Sequence, residues 1–202
     1  MHEEIFSNEQ RVLLPLIKKF SSQFGLVGGT AIALHIGHRR SIDFDLFNFK
    51  SFDNDKIRNV IRKDYQIQKT FIDSVDELTI LVENVKITFY RYPFKIDFSE
   101  MLDSIKIPNL LTLASMKAFA IGKRAKWKDY VDLYFIFKKH PISSVILHAK
   151  EIFKTEFNEK LFREELSYFK DIDYSETIDY LPGFAVVDKS IKENLKEISL
   201  VF

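Results

Sequence analysis

The chain has 202 residues, of which 46% are apolar, and this composition is typical of one folded domain, with or without a subdomain. A formal net charge of +1 does not indicate nucleic-acid binding by overall charge, and the absence of cysteine excludes disulfides, thiolate metal sites and a cysteine nucleophile. The polar start of the chain is unlike a signal peptide, and no apolar run approaches the roughly 20 residues that cross a bilayer. We therefore expect a soluble, cytoplasmic protein without a membrane partner.

The first half of the chain predicts a small sheet with flanking helices. Apolar residues at helical spacing predict helices over residues 8–22, 30–36 and 53–64. Short apolar runs predict strands over residues 24–27, 42–47, 66–72, 78–82 and 86–92. Glu83 and Asn84 lie between the last two strands, where they predict a hairpin turn. This mixed order of helices and strands predicts a sheet of α/β or α+β class.

The second half of the chain has a different character, because every element predicted in it is a helix. These helices are expected over residues 110–121, 128–138, 143–153, 159–169 and 190–198. Residues 171–183 carry acidic and turn-forming side chains and predict a loop. We place the boundary near Pro108, which divides the chain into a sheet-containing domain, 1–108, and a helical domain, 109–202.

The first candidate site is the turn Gly28-Gly29-Thr30, between the strand 24–27 and the helix that follows it. Glycine lets the backbone approach a phosphate closely, and a helix N-terminus presents unpaired N–H groups to an anion. On its own this motif is weak evidence, because a strand-to-helix turn needs glycine for its backbone shape anyway. No Gly-Lys-Ser/Thr follows at the required spacing, so the turn is not a Walker A loop.

The second candidate site is the strand that carries Asp43 and Asp45. Side chains two apart on a strand point to the same face, and adjacent carboxylates repel each other unless a cation neutralises them. Mg²⁺ is the hard cation that suits such a pair, and it usually brings phosphates. Ile42, Phe44 and Leu46 predict an apolar opposite face, which disfavours the alternative of an edge strand with solvated acids.

Charged residues inside apolar helical segments form a third set of candidates. Lys117 is a lone cation in its helix, where it either extends its ammonium to water or binds a phosphate. Asp129 and Asp132 are three apart and share a helix face. Asp129 suits a helix N-terminus, whereas Asp132 lies among apolar residues, and a buried acid needs a partner such as Lys117 or Arg124.

These segments, in this order, resemble the AbiEii/AbiGii-type toxin nucleotidyltransferase family, a branch of the polymerase-beta-like nucleotidyltransferase superfamily. The resemblance covers about residues 20–140, and although each motif is short, their order and spacing together are specific. The matching segments are Gly28-Gly29-Thr30-Ala31, His38 to Asp45, Arg91-Tyr92-Pro93-Phe94, Met116-Lys117-Ala118 and Lys128 to Tyr134.

The resemblance implies a fold and a set of residue roles. The fold would be α+β, a minimal nucleotidyltransferase sheet with flanking helices, followed by a C-terminal helical bundle that completes the cleft. Gly28, Gly29 and Thr30 would cradle the triphosphate of an NTP, and Asp43 and Asp45 would be catalytic as the ligands of Mg²⁺ or Mn²⁺. The resemblance further implies catalytic roles for Lys117 and Asp129, and nucleotide binding for Arg39, Ser41, Arg124 and Asp132, the last also as a structural support.

One position departs from the superfamily pattern. Members often carry a third carboxylate on a later strand, where it deprotonates the attacking hydroxyl or helps to hold metal. Here the corresponding residue is Thr88, and the nearest acid, Asp97, follows the break at Pro93. This departure argues against two-metal chemistry and leaves a single-metal mechanism with Asp129 as base, or a catalytically degenerate fold.

We therefore expect a magnesium-dependent nucleotidyltransferase that moves a nucleoside monophosphate from an NTP to a tRNA 3′ end or a protein hydroxyl. By resemblance it would be the toxin of a toxin–antitoxin or phage-defence system, with an antitoxin partner. The basic stretch 123–128, with Trp127 inside it, predicts either RNA contact with base stacking or an ordinary solvated loop. The alternatives are a degenerate fold that binds nucleotide or a partner protein without turnover, and a structural protein with a solvated acid pair.

Overall fold

A computed structural model describes residues 1–121, 123 and 125–201, and within these residues five strands form one sheet and two form a separate hairpin. The strands are β1 (Gly25–Val27), β2 (Phe44–Asn48), β3 (Ile67–Asp73), β4 (Glu77–Val82), β5 (Val85–Arg91), β6 (Glu100–Leu102) and β7 (Ile105–Ile107). The helices are α1 (Asn8–Phe20), α2 (Gly28–Ile36), α3 (Asn54–Ile61), α4 (Leu110–Ile121), α5 (Trp127–Phe137), α6 (Ile142–Phe153), α7 (Glu159–Ser167) and α8 (Asp188–Ser199). None of the helices in this part of the chain has the length and apolar character that crossing a membrane requires.

The main sheet has the strand order β1-β2-β5-β4-β3. Strand β1 pairs antiparallel with β2, β2 pairs parallel with β5, and β5, β4 and β3 form antiparallel pairs. Glu83 and Asn84 connect β4 to β5 with positive φ angles of 47° and 59°, as a two-residue hairpin turn requires. The α+β fold class and this hairpin, both predicted from the sequence, are confirmed.

The register of the central strands brings two of the predicted motifs together. Val27 pairs with Asp45 across β1 and β2, so the turn that follows Val27 starts beside that carboxylate. Asp45 also pairs with Thr88 on the parallel strand β5. Strand β2 begins at Phe44, two residues later than predicted, and Asp43 therefore lies just before the strand.

Helix α2 lies behind the turn and is largely buried. It begins at Gly28, two residues before its predicted start, and it ends at Gly37, whose φ of 74° gives the left-handed cap that glycine favours. The helix packs against β1 and β2 on one side and against α4 and α5 on the other. Its N-terminus is therefore fixed between the sheet and the helical half of the chain.

The helical half packs directly onto the sheet half. A single cluster of buried apolar side chains extends from Ile5 to Leu195, so both halves contribute to one core. The predicted boundary near Pro108 falls in the short link between β7 and α4. The division into domains 1–108 and 109–202 stays a prediction.

Sequence reasoning missed the hairpin of β6 and β7. Each strand has only three residues, which is too short for an alternating pattern to be recognised, and Asp103 turns the chain with a φ of 51°. Ile105 and Ile107 are buried, and β7 packs against β1. The hairpin therefore covers the outer strand of the main sheet, as edge strands often require.

Phe153 connects α6 to the wall of the cleft described below. Its ring stacks on Phe119 at a centroid distance of 4.2 Å and meets Phe94 edge-on at 4.9 Å. We expect Phe153→Ala to lower the free energy of unfolding by about 3–5 kcal/mol, because truncation leaves a cavity in the core. Urea denaturation measures this change.

Leu147 on the same helix provides the control, since it is 62% exposed. Leu147→Ala should change the free energy of unfolding by less than about 0.5 kcal/mol, as surface substitutions usually do. Similar losses for the two variants would contradict the packing described for Phe153.

Candidate active site

The glycine turn, Gly28-Gly29, needs both of its glycines because other side chains approach it closely. Gly28 has a φ of 70°, and a Cβ atom placed on it would lie 2.2 Å from Oδ2 of Asp45. A Cβ atom on Gly29 would lie 2.6 Å from Nη2 of Arg39 and 3.0 Å from Oγ of Ser41. The first N–H groups of a helix have no intrahelical acceptor, so the start of α2 presents unpaired donors beside Asp45.

The acid pair consists of Asp43, just before β2, and Asp45, the second residue of that strand, and both are partly exposed. Phe44 and Leu46 are buried, as the predicted alternation requires. Ile42 was expected on the same apolar face, but it is 65% exposed, because the strand begins only at Phe44. The prediction of an apolar face is therefore confirmed for two residues and wrong for Ile42.

Lys86 on β5 forms an ion pair with the acid pair, its Nζ lying 2.9 Å from Oδ2 of Asp43. Partial burial disfavours the charged ammonium, but the hydrogen bond that Lys86 donates to Asp43 and the charges of Asp43, Asp45 and Glu176 raise the pKa of Lys86. A cation is thus held beside two carboxylates that would otherwise repel each other. Carboxylate oxygens are donors that suit Mg²⁺, which commonly takes one or two of them together with substrate phosphates.

A third acid is not part of this arrangement. Within residues 1–121, 123 and 125–201, no group of three or more His, Cys, Asp or Glu side chains is placed to hold a metal ion. Thr88 pairs with Asp45, and its hydroxyl lies 3.3 Å from the hydroxyl of Thr79. A neutral threonine therefore lies beside the acid pair.

A buried ion cluster lies behind the turn, and Asp132 is its centre. Arg39 binds the carboxylate with two hydrogen bonds, Nε to Oδ1 at 2.7 Å and Nη2 to Oδ2 at 2.9 Å. His38 Nε2 lies 2.9 Å from Oδ1, and Lys117 Nζ lies 3.0 Å from Oδ2. Burial alone would raise the pKa of Asp132, but the charges of Arg39 and Lys117 hold it well below its usual range. Asp132 is therefore ionised.

Lys117 links the cluster to a second carboxylate, with its Nζ 2.6 Å from Oδ1 of Asp129. Burial alone would lower the pKa of Lys117, but the charges of Asp129 and Asp132 raise it. Lys117 is only 5% exposed, so the alternative that its ammonium extends to water is wrong. It is a fixed cation at the wall of the cleft, and its protonated state prevents it from acting as a base.

The cluster also shows which predicted roles the geometry favours. Asp129 and Asp132 are both fully buried, so neither presents its carboxylate to the cleft. The base role predicted for Asp129 stays a prediction that this arrangement does not favour. Arg39 binds Asp132 and also reaches Gly29, which gives it a supporting role at the turn, and its direct contact with a nucleotide stays a prediction.

Thr30 and Ser41 support the acid pair through backbone contacts. The buried Thr30 hydroxyl donates to the carbonyl oxygens of Asp43, at 2.5 Å, and Ser41, at 3.3 Å. Any phosphate contact of Thr30 would therefore involve its backbone N–H group. Ser41 keeps its hydroxyl beside Gly29. The remaining predicted residue, Arg124, lies outside the described residues.

A cleft of about 310 Å³ opens between the sheet and α4. Gly28, Asp45 and Lys117 are among its lining residues. The rest of its lining is mainly apolar and includes four aromatic rings, those of Phe47, Tyr90, Tyr92 and Phe119. This volume lies in the usual range of ligand sites, which combine apolar walls with a few charged groups. The cleft is therefore suited to a flat, uncharged ring attached to an anionic group.

The loop 171–183 returns to the site and brings a residue that sequence reasoning missed. Glu176 accepts hydrogen bonds from Lys126, at 2.7 Å, and from Lys128. Burial opposes its ionisation, but these two lysines lower the pKa of Glu176 to about 2. Its charge also acts on Lys86 and Arg39, so the loop contributes to the field of the site.

The RNA-stacking role predicted for Trp127 is wrong. Trp127 is buried, its Nε1 donates to Asp188 at 3.2 Å, and its ring packs against Tyr130 and Tyr174. The aromatic ring in this basic stretch faces the interior because the loop and α8 cover it. Stacking on a nucleobase would require these contacts to break.

Comparisons with known proteins found a matching family model and a related protein. The family model described as "Nucleotidyl transferase AbiEii toxin, Type IV TA system" matches residues 15–183. A protein of Aquifex aeolicus (strain VF5), described as uncharacterized, is 32% identical over 199 residues, covering 94% of this chain and 95% of its own length.

Two solved structures share the fold. A proposed nucleotidyltransferase from H. pylori has a TM-score of 0.59 at 18% identity, covering 98% of this chain and 94% of its own. MenT4, a nucleotidyltransferase toxin from Mycobacterium tuberculosis H37Rv, has a TM-score of 0.55 at 13% identity, covering 95% of this chain and 80% of its own. At these identities the likeness concerns the fold alone.

A methyl group on Gly28 tests the close approach of Asp45 to the turn. We expect Gly28→Ala to lower affinity for magnesium-bound NTP at least about tenfold, because the added atom displaces the carboxylate and the positive φ becomes strained. Isothermal titration calorimetry with each of the four NTPs measures the affinity.

Gly183→Ala is the matched control, since Gly183 also has a positive φ, 85°, but has no atom within 4 Å of the added Cβ. Both variants should lose about 1–2 kcal/mol of stability from backbone strain. Only Gly28→Ala should lose nucleotide affinity, and full affinity in that variant would contradict the assignment of the turn.

Removal of the Asp132 charge tests the buried ion cluster. Asp132→Asn should lower the free energy of unfolding by about 3–5 kcal/mol, because it leaves Arg39 and Lys117 buried without their shared partner. Asp179→Asn is the control, because Asp179 is 67% exposed where it pairs with Arg40. Its loss should be at most about 1 kcal/mol.

The stability difference between the wild type and Asp132→Asn should also depend on pH. The folded state lowers the pKa of Asp132 below its ordinary value of 3.8, so its stabilising effect is fully present above that pH. The stability difference between wild type and Asp132→Asn should therefore be constant from about pH 5 to 7 and shrink as the pH falls below about 4. A difference that grows on acidification would contradict an ionised Asp132.

Proposed function

Because the chain belongs to the AbiEii nucleotidyl transferase toxin family, whose members are toxins of type IV toxin–antitoxin systems, we propose that it transfers a nucleoside monophosphate from an NTP to an acceptor hydroxyl. The observation that carries the proposal is the contact between the Asp45 carboxylate and the start of α2 at Gly28. The oxygens that would bind metal and the N–H groups that would bind phosphate therefore lie side by side in the lining of one cleft.

Different residues of the site would bind the nucleotide and neutralise its charge. The N–H groups at the start of α2 bind the triphosphate, and the aromatic walls of the cleft pack against the base. Asp43 and Asp45 would hold Mg²⁺ or Mn²⁺, which supplies charge neutralisation to the phosphates when bound. Lys117 adds a fixed positive charge, and Arg39 keeps the turn in place.

The chemical step is a displacement at the α-phosphorus. The acceptor oxygen forms a bond to that phosphorus, the bond to the pyrophosphate oxygen breaks, and the hydroxyl proton leaves to solvent or to a carboxylate. The chain contributes mainly position and electrostatic stabilisation, as is general for phosphoryl transfer.

The acceptor classes that we propose are the 3′ end of a tRNA and a hydroxyl of a protein. The basic stretch 123–128 gives only weak support to an RNA acceptor, because Lys126 and Lys128 are paired with Glu176. We propose that in the cell this protein is a cytoplasmic toxin and that a separate antitoxin counteracts it.

A second candidate function is nucleotide or partner binding without turnover. It is favoured by the neutral Thr88 beside Asp45 and by the ion pair of Lys86 with Asp43. Pyrophosphate release distinguishes the two functions, because only a transferase releases pyrophosphate from the NTP.

Nucleotide transfer with labelled ATP, CTP, GTP and UTP, Mg²⁺, and total tRNA and cell protein as acceptors tests the proposal. Asp45→Asn should lower the labelling rate at least about 100-fold, because the metal's stabilisation of phosphate charge is worth several kcal/mol. Asp97→Asn, an exposed acid outside the acid pair, should leave the rate unchanged.

Label in one acceptor band that is absent from the Asp45→Asn reaction would support the transferase. NTP binding by the folded wild-type protein, with no label in any acceptor and no pyrophosphate release, would favour the binding-only function.

A further inference from the structure

Two side chains on one face of strand β5, those of Lys86 and Thr88, lie beside the acid pair. Asp45 pairs with Thr88 in the parallel register of β2 and β5, and Lys86 lies two residues earlier on the same face of β5. The carboxylates of Asp43 and Asp45 therefore meet one ammonium and one hydroxyl from the neighbouring strand. Thr88 contributes no charge to this set.

The ammonium of Lys86 is held where both carboxylates act on it. Its Nζ lies 2.9 Å from Oδ2 of Asp43, with the lysine 43% exposed and the aspartate 23% exposed. The charge of Asp45 also acts on the ammonium. Lys86 therefore offsets part of the negative charge of the acid pair.

The ion pair limits how many carboxylate oxygens are open to metal ions. Lys86 already occupies one oxygen of Asp43, and Thr88 supplies no third carboxylate. Two carboxylates, one of them bound to a lysine, suit a single divalent cation, since Mg²⁺ commonly takes one or two carboxylates together with substrate phosphates. Like charges close together are unfavourable, so a second ion would also be repelled by the lysine.

We propose that the Lys86 ammonium takes the place of a second metal ion, so that the site binds a single divalent cation. This inference rests on the proposed function, because it assigns a role to a residue at the same acid pair. Lys86 acts as a positioning residue, which holds Asp43 and excludes the second ion. Neither the glycine turn nor the buried ion cluster changes in this arrangement.

Mn²⁺ binding tests the inference without any catalytic assay. Wild type, Lys86→Met and Lys86→Met/Thr88→Asp are titrated with Mn²⁺, with and without the four α,β-methylene NTPs, and free Mn²⁺ is counted by its EPR signal. Lys69→Met is the matched control, since Lys69 is an exposed lysine on β3, at the far edge of the same sheet. Circular dichroism verifies that each variant is folded.

We expect one Mn²⁺ per wild-type chain. Lys86→Met should bind one Mn²⁺ roughly fivefold more tightly, because the ion no longer competes with one partly exposed ion pair. Lys69→Met should not differ from wild type. The double variant, with a third carboxylate and no lysine, should bind two ions.

Two results would overturn the inference and leave the proposed function in place. They are two Mn²⁺ ions in the wild-type protein, or the same Mn²⁺ affinity in Lys86→Met as in Lys69→Met. The absence of Mn²⁺ binding from both wild type and Lys86→Met, with nucleotide present, would instead overturn the metal-dependent transfer itself.

Discussion

The buried carboxylate of Asp132 is the constraint on which the site depends. It binds Arg39 from the segment before β2 and Lys117 from α4, while Asp132 itself belongs to α5. An unpaired charge at that depth would cost several kcal/mol, so the three segments stay together or the fold loses much of its stability. Arg39 also lies against Gly29, and the cluster thereby fixes the turn.

The acid pair is comparatively accessible, as its proposed role in substrate binding requires. Asp45 lines the cleft beside the start of α2, and Asp43 is partly exposed where Lys86 binds it. The buried cluster supplies rigidity, and the partly exposed pair would supply the oxygens of the proposed metal site. This division explains why two sets of aspartates, so similar in the sequence, have different environments.

Local patterns were enough to predict most elements and to single out the glycine turn and the acid pair, which the structure brings together. The glycine turn and the acid pair are each continuous in sequence, and their signals do not depend on distant contacts. Lys86 and Glu176 were missed because their roles depend on the pairing of β2 with β5 and on the return of the loop 171–183. Trp127 was assigned to the surface because no local pattern reveals that the loop and α8 cover it.

Thiophilic metal rescue of Asp45 tests the central claim, that this carboxylate contacts the metal of a nucleotidyl transfer. The chain contains no cysteine, so Asp45→Cys introduces a single thiol. Pyrophosphate release by this variant should be lost with Mg²⁺ and partly restored by Cd²⁺, because thiolate prefers the softer ion. If Cd²⁺ leaves Asp45→Cys as inactive as Asp45→Ala, or if Asp45→Cys is fully active with Mg²⁺, the claim is contradicted.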